Sequence, residues 1–345
     1  MPLIELSNVR KIYPAATGDV RALDGLNLQV EEGTVRGLLG PNGAGKTTAV
    51  KVLTTLVKPT SGNTTVAGLD VVRDGHRVRE IIGASGQYAT IDEDLSAREN
   101  LMLIGRLFHL GDRRAAARAA ELLELFDLQD AADRPVKGFS GGMRRRADLA
   151  ASLVNDPHIL FLDEPTTGLD PAARNALWEV IRDRVAAGTT VLLTTQYLEE
   201  ADQLANSISV IDHGRVIAEG TADALKAQVG GQQIRITVAD ESNVEVVAQI
   251  VADVAVDDVH VRERVVRAAV RGEGSHALET ALRNIRERNI DVTDAGMARP
   301  TLDDVFLQLT RREPTDHRGE NRTAHTTAPD PTAPDPTATD HRGEK

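Results

Sequence analysis

Apolar and polar residues alternate along "LIELSNVRKIY" and again along "VRALDGLNLQV", the period of half-buried strands. Both lead through the turn "EEG" into "TVRGLLG", an apolar run that predicts a buried strand ending at Gly40. After it, Val50, Leu53 and Leu56 in "KTTAVKVLTTLV" recur with helical spacing, and "KPTSG" reads as the turn that follows. From Ser96 to Asp156 the pattern is mostly helical: "ENLMLIGRLFHL", "RRAAARAAELLELFDL", then a helix after "SGG". "HILFLDEP" and "TTVLLTTQ" are short unbroken apolar runs, as strands covered on both faces require, with the helix "RNALWEVIRDRVAAG" between them. Trp178 on that helix, the single tryptophan, is expected in the core. "NSISVIDHGRVIAEG" predicts a hairpin turning at His213-Gly214, with the histidine a turn residue rather than a metal ligand.

The pattern changes near Gly230-Gly231. "QQIRITVA" predicts a strand, "NVEVVAQIVADV" a helix, "DVHVRE" and "VVRAAVR" two strands, "SHALETALRNIRERN" a second helix and "DVTDAGMA" a last strand. This βαββαβ order is that of a small ferredoxin-like domain. "TLDDVFLQLTRR" is expected to close it as a helix, with Thr301 as N-cap and two aspartates in the first turn. The proline repeat "TTAPDPTAPDPTATD" offers nothing to bury and is expected to be disordered. The expected organisation is therefore a large α/β domain over residues 1–225, a C-terminal α+β domain over 226–312 and a tail over 313–345.

Composition narrows the function. The 345 residues exceed the roughly 100–200 of a single domain, and 41% hydrophobic content allows a sizeable core. A net charge of −12 with only 3% aromatic residues disfavours a nucleic-acid partner, so the triple Arg144-Arg145-Arg146 reads as a solvated helix face. The absence of cysteine removes disulfides, thiolate catalysis and cysteine-bound metals. Neither a signal peptide nor an apolar run of about 18 residues is evident, so the chain is not expected to cross a membrane by itself.

Two segments carry phosphate chemistry. "GPNGAGKTT" (Gly40, Pro41, Asn42, Gly43, Ala44, Gly45, Lys46, Thr47, Thr48) fits the P-loop pattern and lies between a predicted strand and a predicted helix. Its glycines let backbone N–H groups converge on an anion, Lys46 adds a charge for the outer phosphates, and Thr47 is placed to bind Mg²⁺. "ILFLDEP" ends a buried strand in two acids. Asp163 is expected to be the second anchor of Mg²⁺, and Glu164 to polarise the water that attacks the γ-phosphate of ATP. Further on, Ser140-Gly141-Gly142 opens a helix and makes a second anion site, but it has no lysine to complete it.

"FSGGM" ahead of "DEPTTGLD" resembles the signature of ABC-type ATPases, and the motifs occur in that family's order from Leu3 to about Leu225. The resemblance implies a P-loop ATPase domain with antiparallel β and helical subdomains. It also answers why one chain has two half-sites: two copies pair head to tail, and the signature of one closes over ATP held by the other. Tyr13 matches the residue that stacks on adenine, Gln87 the glutamine at the metal and attacking water, and Asp170 the loop linking the two sites. Gln196 stands where the family normally has the histidine at the γ-phosphate. "TTQYLEEADQLA", "SGQYATIDEDLSARENL" and "TLDDVFLQLT" are further similar to ATP-binding subunits of daunorubicin/doxorubicin-resistance exporters. That likeness implies an ATPase on the cytoplasmic face of the cell membrane, held there by a separate permease and driving efflux of a hydrophobic drug. Two alternatives remain from the residues: a soluble ABC ATPase of translation or DNA repair, or a slow-hydrolysing nucleotide-dependent regulator.

Overall fold

A computed structural model describes residues 2–15, 18–86, 91–228, 233–256, 258–270, 274–298 and 301–311. Gln87, at the expected metal and water position, and the tail after Glu313 lie outside the described residues.

The first part of the chain builds two sheets around the P-loop helix. Strands β1 (Ile4–Tyr13), β2 (Val20–Val30), β4 (Ser61–Val66) and β5 (Leu69–Asp70) form an antiparallel sheet in the order β2-β1-β4-β5. Strands β3 (Val35–Leu39), β6 (Ile82–Ser85), β7 (Ile159–Asp163), β8 (Thr190–Thr195), β9 (Ser207–Asp212) and β10 (Arg215–Gly220) form a second, ordered β10-β9-β3-β8-β7-β6. All its neighbours are parallel except the β9–β10 hairpin. The apolar runs β7 and β8 are buried on both faces. Leu160, Leu162, Val191 and Leu193 join a core shared with the helices, and Phe161 and Leu192 join one shared with the antiparallel sheet.

Helix α1 (Lys46–Leu53) leaves the P-loop, and α2 (Gly75–Ile81) precedes β6. The expected continuation of α1 to Leu56 does not occur. Thr55 turns left-handed (φ 65°), Leu56 N–H donates to the Lys51 carbonyl and Thr55 N–H to that of Val52. That double reverse bond stops a helix, and Leu56 is left 73% exposed. Strands β4, β5 and β6 were not evident in the hydrophobic pattern, because β4 ("SGNTTV") buries only Thr64 and Val66.

Helices α3 (Ala97–Leu107), α4 (Asp112–Leu125) and α5 (Gly141–Ser152) make the helical part, packed through Leu101, Leu122, Phe126 and Leu149. Ser96 and Glu99 cap α3 reciprocally. Helix α6 (Pro171–Ala186) carries Trp178 into the core at 5% exposure, and α7 (Leu198–Leu204) and α8 (Ala222–Gln228) flank the sheet.

The C-terminal strands β11 (Gln233–Val238), β12 (His260–Arg262), β13 (Val265–Ala269) and β14 (Val292–Ala298) form an antiparallel sheet ordered β12-β13-β11-β14. With α9 (Val244–Ala252) and α10 (Gly274–Glu287), this is the ferredoxin-like order, and Ile234, Ile236, Val247, Ile250, Ala281 and Ile285 fill its core. Helix α11 (Leu302–Arg311) starts at Thr301, whose hydroxyl accepts from Asp304 N–H while the Asp304 carboxylate accepts from Thr301 N–H. The expectation that α11 closes the small domain is corrected. Leu302 and Val305 instead bury against Leu39, Ala201, Ile208, Val210 and Leu225 of the large domain. Gln233 Nε2 donates to Asp304 at 3.3 Å and ties β11 to the same helix.

Candidate functional site

Strand β3 delivers the chain to Gly40, and α1 takes it away at Lys46. A Cβ at Gly40 would lie 2.3 Å from the Ile211 carbonyl oxygen, and one at Gly45 (φ 109°) would lie 2.4 Å from that of Ala22. The loop can approach these walls only with glycine at both positions. Pro41 is half-buried, Asn42 and Gly43 form the exposed rim, and Ala44 is buried. The Ala44 carbonyl accepts Gly214 N–H at 2.8 Å, and the Gly214 carbonyl accepts Asp24 N–H at 3.1 Å. The turn at His213-Gly214 thus braces the cradle against β2. His213 is exposed, as a turn residue should be, and no cluster of metal-binding side chains occurs among the described residues.

Lys46 is buried inside the loop. Its Nζ donates to the carbonyls of Gly40 (2.7 Å) and Pro41 (3.1 Å) and lies 3.8 Å from Glu164 Oε1. Burial pushes its ammonium pKa down, opposed by the charges of Glu164 and Asp163. Thr47 donates to Asp163 Oδ1 at 3.3 Å, and Thr194 donates to the same oxygen. Asp163 ends β7 opposite Thr194 in register and is 2% exposed, so two hydroxyls offset the burial of its charge. Thr48 is half-buried one residue along α1.

Glu164 departs from the strand. Its φ of 50° is left-handed, a strain of about 1–3 kcal/mol for a residue with a side chain. Its N–H donates to the Thr194 carbonyl at 3.0 Å, and its carboxylate faces Lys46 and the Thr167 hydroxyl (3.5 Å). The turn therefore sends two adjacent carboxylates to different partners: Asp163 to the hydroxyls, Glu164 to the cradle lysine.

The remaining expected residues lie at the ends of other elements. Gln196 is exposed just beyond the end of β8. Tyr13 ends β1 half-buried, with Lys11 Nζ 4.9 Å from its ring centroid. Ser140 is exposed and caps α5, its hydroxyl accepting Met143 N–H at 3.2 Å, with Gly141 and Gly142 in the first turn. Asp170 caps α6 by accepting Ala173 N–H at 2.8 Å. Among the described residues neither Ser140 nor Asp170 forms a hydrogen bond with the cradle of the same chain.

Three participants were not anticipated. Thr194 is one, hidden in the apolar run "LLTT". Glu200 is another: it is fully buried on α7, accepts Trp178 Nε1–H at 3.4 Å, and burial pushes its carboxyl pKa up against hydrogen bonds from Thr195 and Trp178. Arg145 is the third, and the arginine triple is not a solvated face. Arg144 pairs with Glu93 (2.9 Å), Arg146 donates to the Phe126 carbonyl (3.0 Å), and Arg145 turns inward to the backbone of Asp163 and Glu164 (2.9 Å each). The signal available in sequence was Asp148, an acid three residues beyond Arg145 in an Ala/Leu-rich helix.

Comparison with known proteins follows these two regions. Residues 23–167 match the ABC transporter family, and residues 220–310 match the C-terminal domain of DrrA1-3-like ATP-binding proteins. The chain is 55% identical to the daunorubicin resistance ATP-binding protein DrrA2 of Streptomyces coeruleorubidus, over 90% of this chain and 95% of the relative. It is 46% identical to the daunorubicin/doxorubicin resistance protein DrrA of Streptomyces peucetius, over 93% and 96%, and 40% identical to the Nod factor export ATP-binding protein I of Sinorhizobium fredii, over 91% and 87%. Among solved structures it resembles the dimeric bacterial ABC transporter cassette MJ0796 (TM-score 0.60, 28% identity, 63% of this chain and 98% of that one). The same cassette in a post-hydrolysis dimer bound to ADP and Pi gives 27% identity with the same TM-score and coverage.

Proposed function

The chain belongs to the ABC transporter ATP-binding proteins of the DrrA daunorubicin/doxorubicin-resistance type, and from that premise we propose that two copies pair head to tail to energise drug efflux through a separate permease. The single observation that carries the hydrolytic part is the convergence of Lys46, Thr47, Asp163 and Glu164 on one glycine-walled cradle.

ATP binds in that cradle. The loop N–H groups and Lys46 hold the phosphates, so Lys46 exchanges its bonds to the Gly40 and Pro41 carbonyls for phosphate oxygens. Glu164 is then freed of its pairing with Lys46 and takes up the attacking water as base, with Gln196 and Gln87 completing the water's partners. Asp163 and Thr47 present a carboxylate and a hydroxyl together, the hard oxygen donors that suit Mg²⁺. Mg²⁺, when bound, offsets charge on the phosphates that one lysine beside two acids does not.

Ser140 and Gly141 are exposed and Gly142 half-buried at a helix N-terminus without a lysine, which supports their service to ATP held by a second copy, with Asp170 near the seam and Tyr13 against adenine. No described helix is long and apolar enough to cross a membrane, and the separate permease is supported by the likeness to transporter ATP-binding proteins. A hydrophobic, anthracycline-like cargo is supported by the names of the relatives. The test is drug uptake into inverted membrane vesicles from cells expressing this chain with its permease. ATP-driven uptake that vanishes in Lys46→Ala is expected. Equal uptake by the variant, or none by wild type for any hydrophobic cation tried, would reject the reading.

A further inference from the structure

Arg145 is the point at which three segments of the site meet. It lies on α5 five residues after Ser140, with its side chain 14% exposed. Its Nε donates to the Pro165 carbonyl (2.8 Å), Nη1 to that of Gly86 (2.7 Å), and Nη2 to those of Asp163 and Glu164 (2.9 Å each). Nη1 also lies 3.6 Å from the Asp148 carboxylate, which accepts the Ser85 hydroxyl at 2.8 Å. A guanidinium has five N–H donors in a rigid plane, and this one meets four carbonyls and a carboxylate.

Helix packing does not need this arrangement, because Ala147, Leu149 and Ala150 already bury α5. What the four carbonyls share is their position. Three belong to Asp163, Glu164 and Pro165, the peptides on either side of the left-handed Glu164. The fourth, Gly86, directly precedes Gln87. A strained backbone persists only where its surroundings over-determine it. Here Thr194 holds the Glu164 N–H side and Arg145 the carbonyl side.

We propose that Arg145 is a positioning residue for hydrolysis: it clamps the peptides around Glu164 so that the carboxylate stays aimed at the cradle, and joins them to the helix that presents Ser140. The second half of this proposal rests on the head-to-tail pairing proposed above; the first half does not. The clamp makes the hydrolysing side of one site and the lent side of the other a single mechanical piece. Lysine cannot replace it, since three rotating donors do not match four fixed carbonyls.

The test uses the full chain with Arg145→Lys, Arg145→Gln and Arg145→Ala, beside wild type and Glu164→Gln. Fluorescent ATP-analogue affinity is expected to stay within about threefold of wild type, while kcat falls about 100-fold, the scale of a small misplacement at the reacting atoms. Arg145→Lys should do no better than Arg145→Gln. Added guanidinium should partly restore Arg145→Ala and leave Glu164→Gln inactive. Amide exchange over residues 160–168 should quicken about tenfold in Arg145→Ala while Ala147–Ser152 keeps its protection. The exchange measurement needs no turnover, so a wild type that hydrolyses nothing would reject the ATPase reading and still leave the clamp to be judged. Wild-type protection over 160–168, wild-type kcat in Arg145→Gln, or loss of protection throughout α5 would each overturn the proposal.

Discussion

Gln196 and Glu200 lie four residues apart, one exposed beyond β8 and the other fully buried on α7. An amide donates a hydrogen bond without titrating, so Gln196 can serve the γ-phosphate or the attacking water at any pH. Gln196→Ala is expected to lower kcat about 10- to 1000-fold, the range for one aligned transition-state donor, with nucleotide affinity little changed. Gln196→His should keep or raise the rate, as measured by steady-state phosphate release. Wild-type turnover in the alanine variant would make the position structural. Glu200 makes a pH-dependent prediction. Burial raises its folded pKa, so the folded state binds the proton more tightly, and ionisation costs stability as pH rises through the ordinary carboxylate value near about 4.3. Above its folded pKa that cost is fully present. Glu200→Gln keeps the shape and removes the charge. Its advantage in Tm over wild type should therefore be absent at low pH and grow with rising pH to at least about 2 °C. A difference that does not change with pH would contradict the buried-charge account.

At the scale of elements, α11 is the informative helix. Leu302 (3% exposed) and Val305 (1% exposed) fill a cluster with Leu39, Ile208, Val210 and Leu225. Leu302→Ala should destabilise by about 2–5 kcal/mol through lost burial and a residual cavity. Because the cluster belongs to the large domain, the loss should appear in unfolding of that domain, followed by Trp178 fluorescence. Unchanged Trp178 melting would mean the seam is not continuous with the core. The same helix shows where sequence reading stops. The Thr301 cap and the first-turn aspartates marked "TLDDVFLQLTRR" as a helix, but such end signals do not name the surface the helix packs on. The strand–loop–helix frame of the P-loop, by contrast, was legible, because the apolar run ending before Gly40 and the helix from Lys46 are both local signals. Arg145 was misread for the opposite reason: three arginines in a row look solvated, and only a neighbouring strand end supplies the carbonyls that bury the middle one.

For the whole molecule, the proposed head-to-tail pairing would make the signature at Ser140–Gly142 and the cradle at Lys46 complementary halves. Glu164→Gln leaves the Asp163 and Thr47 oxygens in place while removing the carboxylate proposed as base. With ATP it is expected to run on gel filtration as a dimer, and without ATP as a monomer. A monomer at every protein and ATP concentration would count against head-to-tail pairing. The βαββαβ order of β11 to β14 was legible because it is carried by short-range periodicity. The way the chain returns from the small domain to the large one was not, since it depends on contacts between residues far apart in sequence.

That return has a consequence for biosynthesis. Leu39, Ile208, Val210 and Leu225 leave the ribosome well before Leu302 and Val305 exist to cover them. Between residues 225 and 305 lie about 80 residues, which at roughly 5–20 residues per second take about 4–16 s to make. For that interval the nascent ATPase domain shows solvent an apolar seam that the finished protein hides. A chain ending before Leu302 would show it permanently, offering chaperones and proteases a mark by which to tell an incomplete product from a complete one.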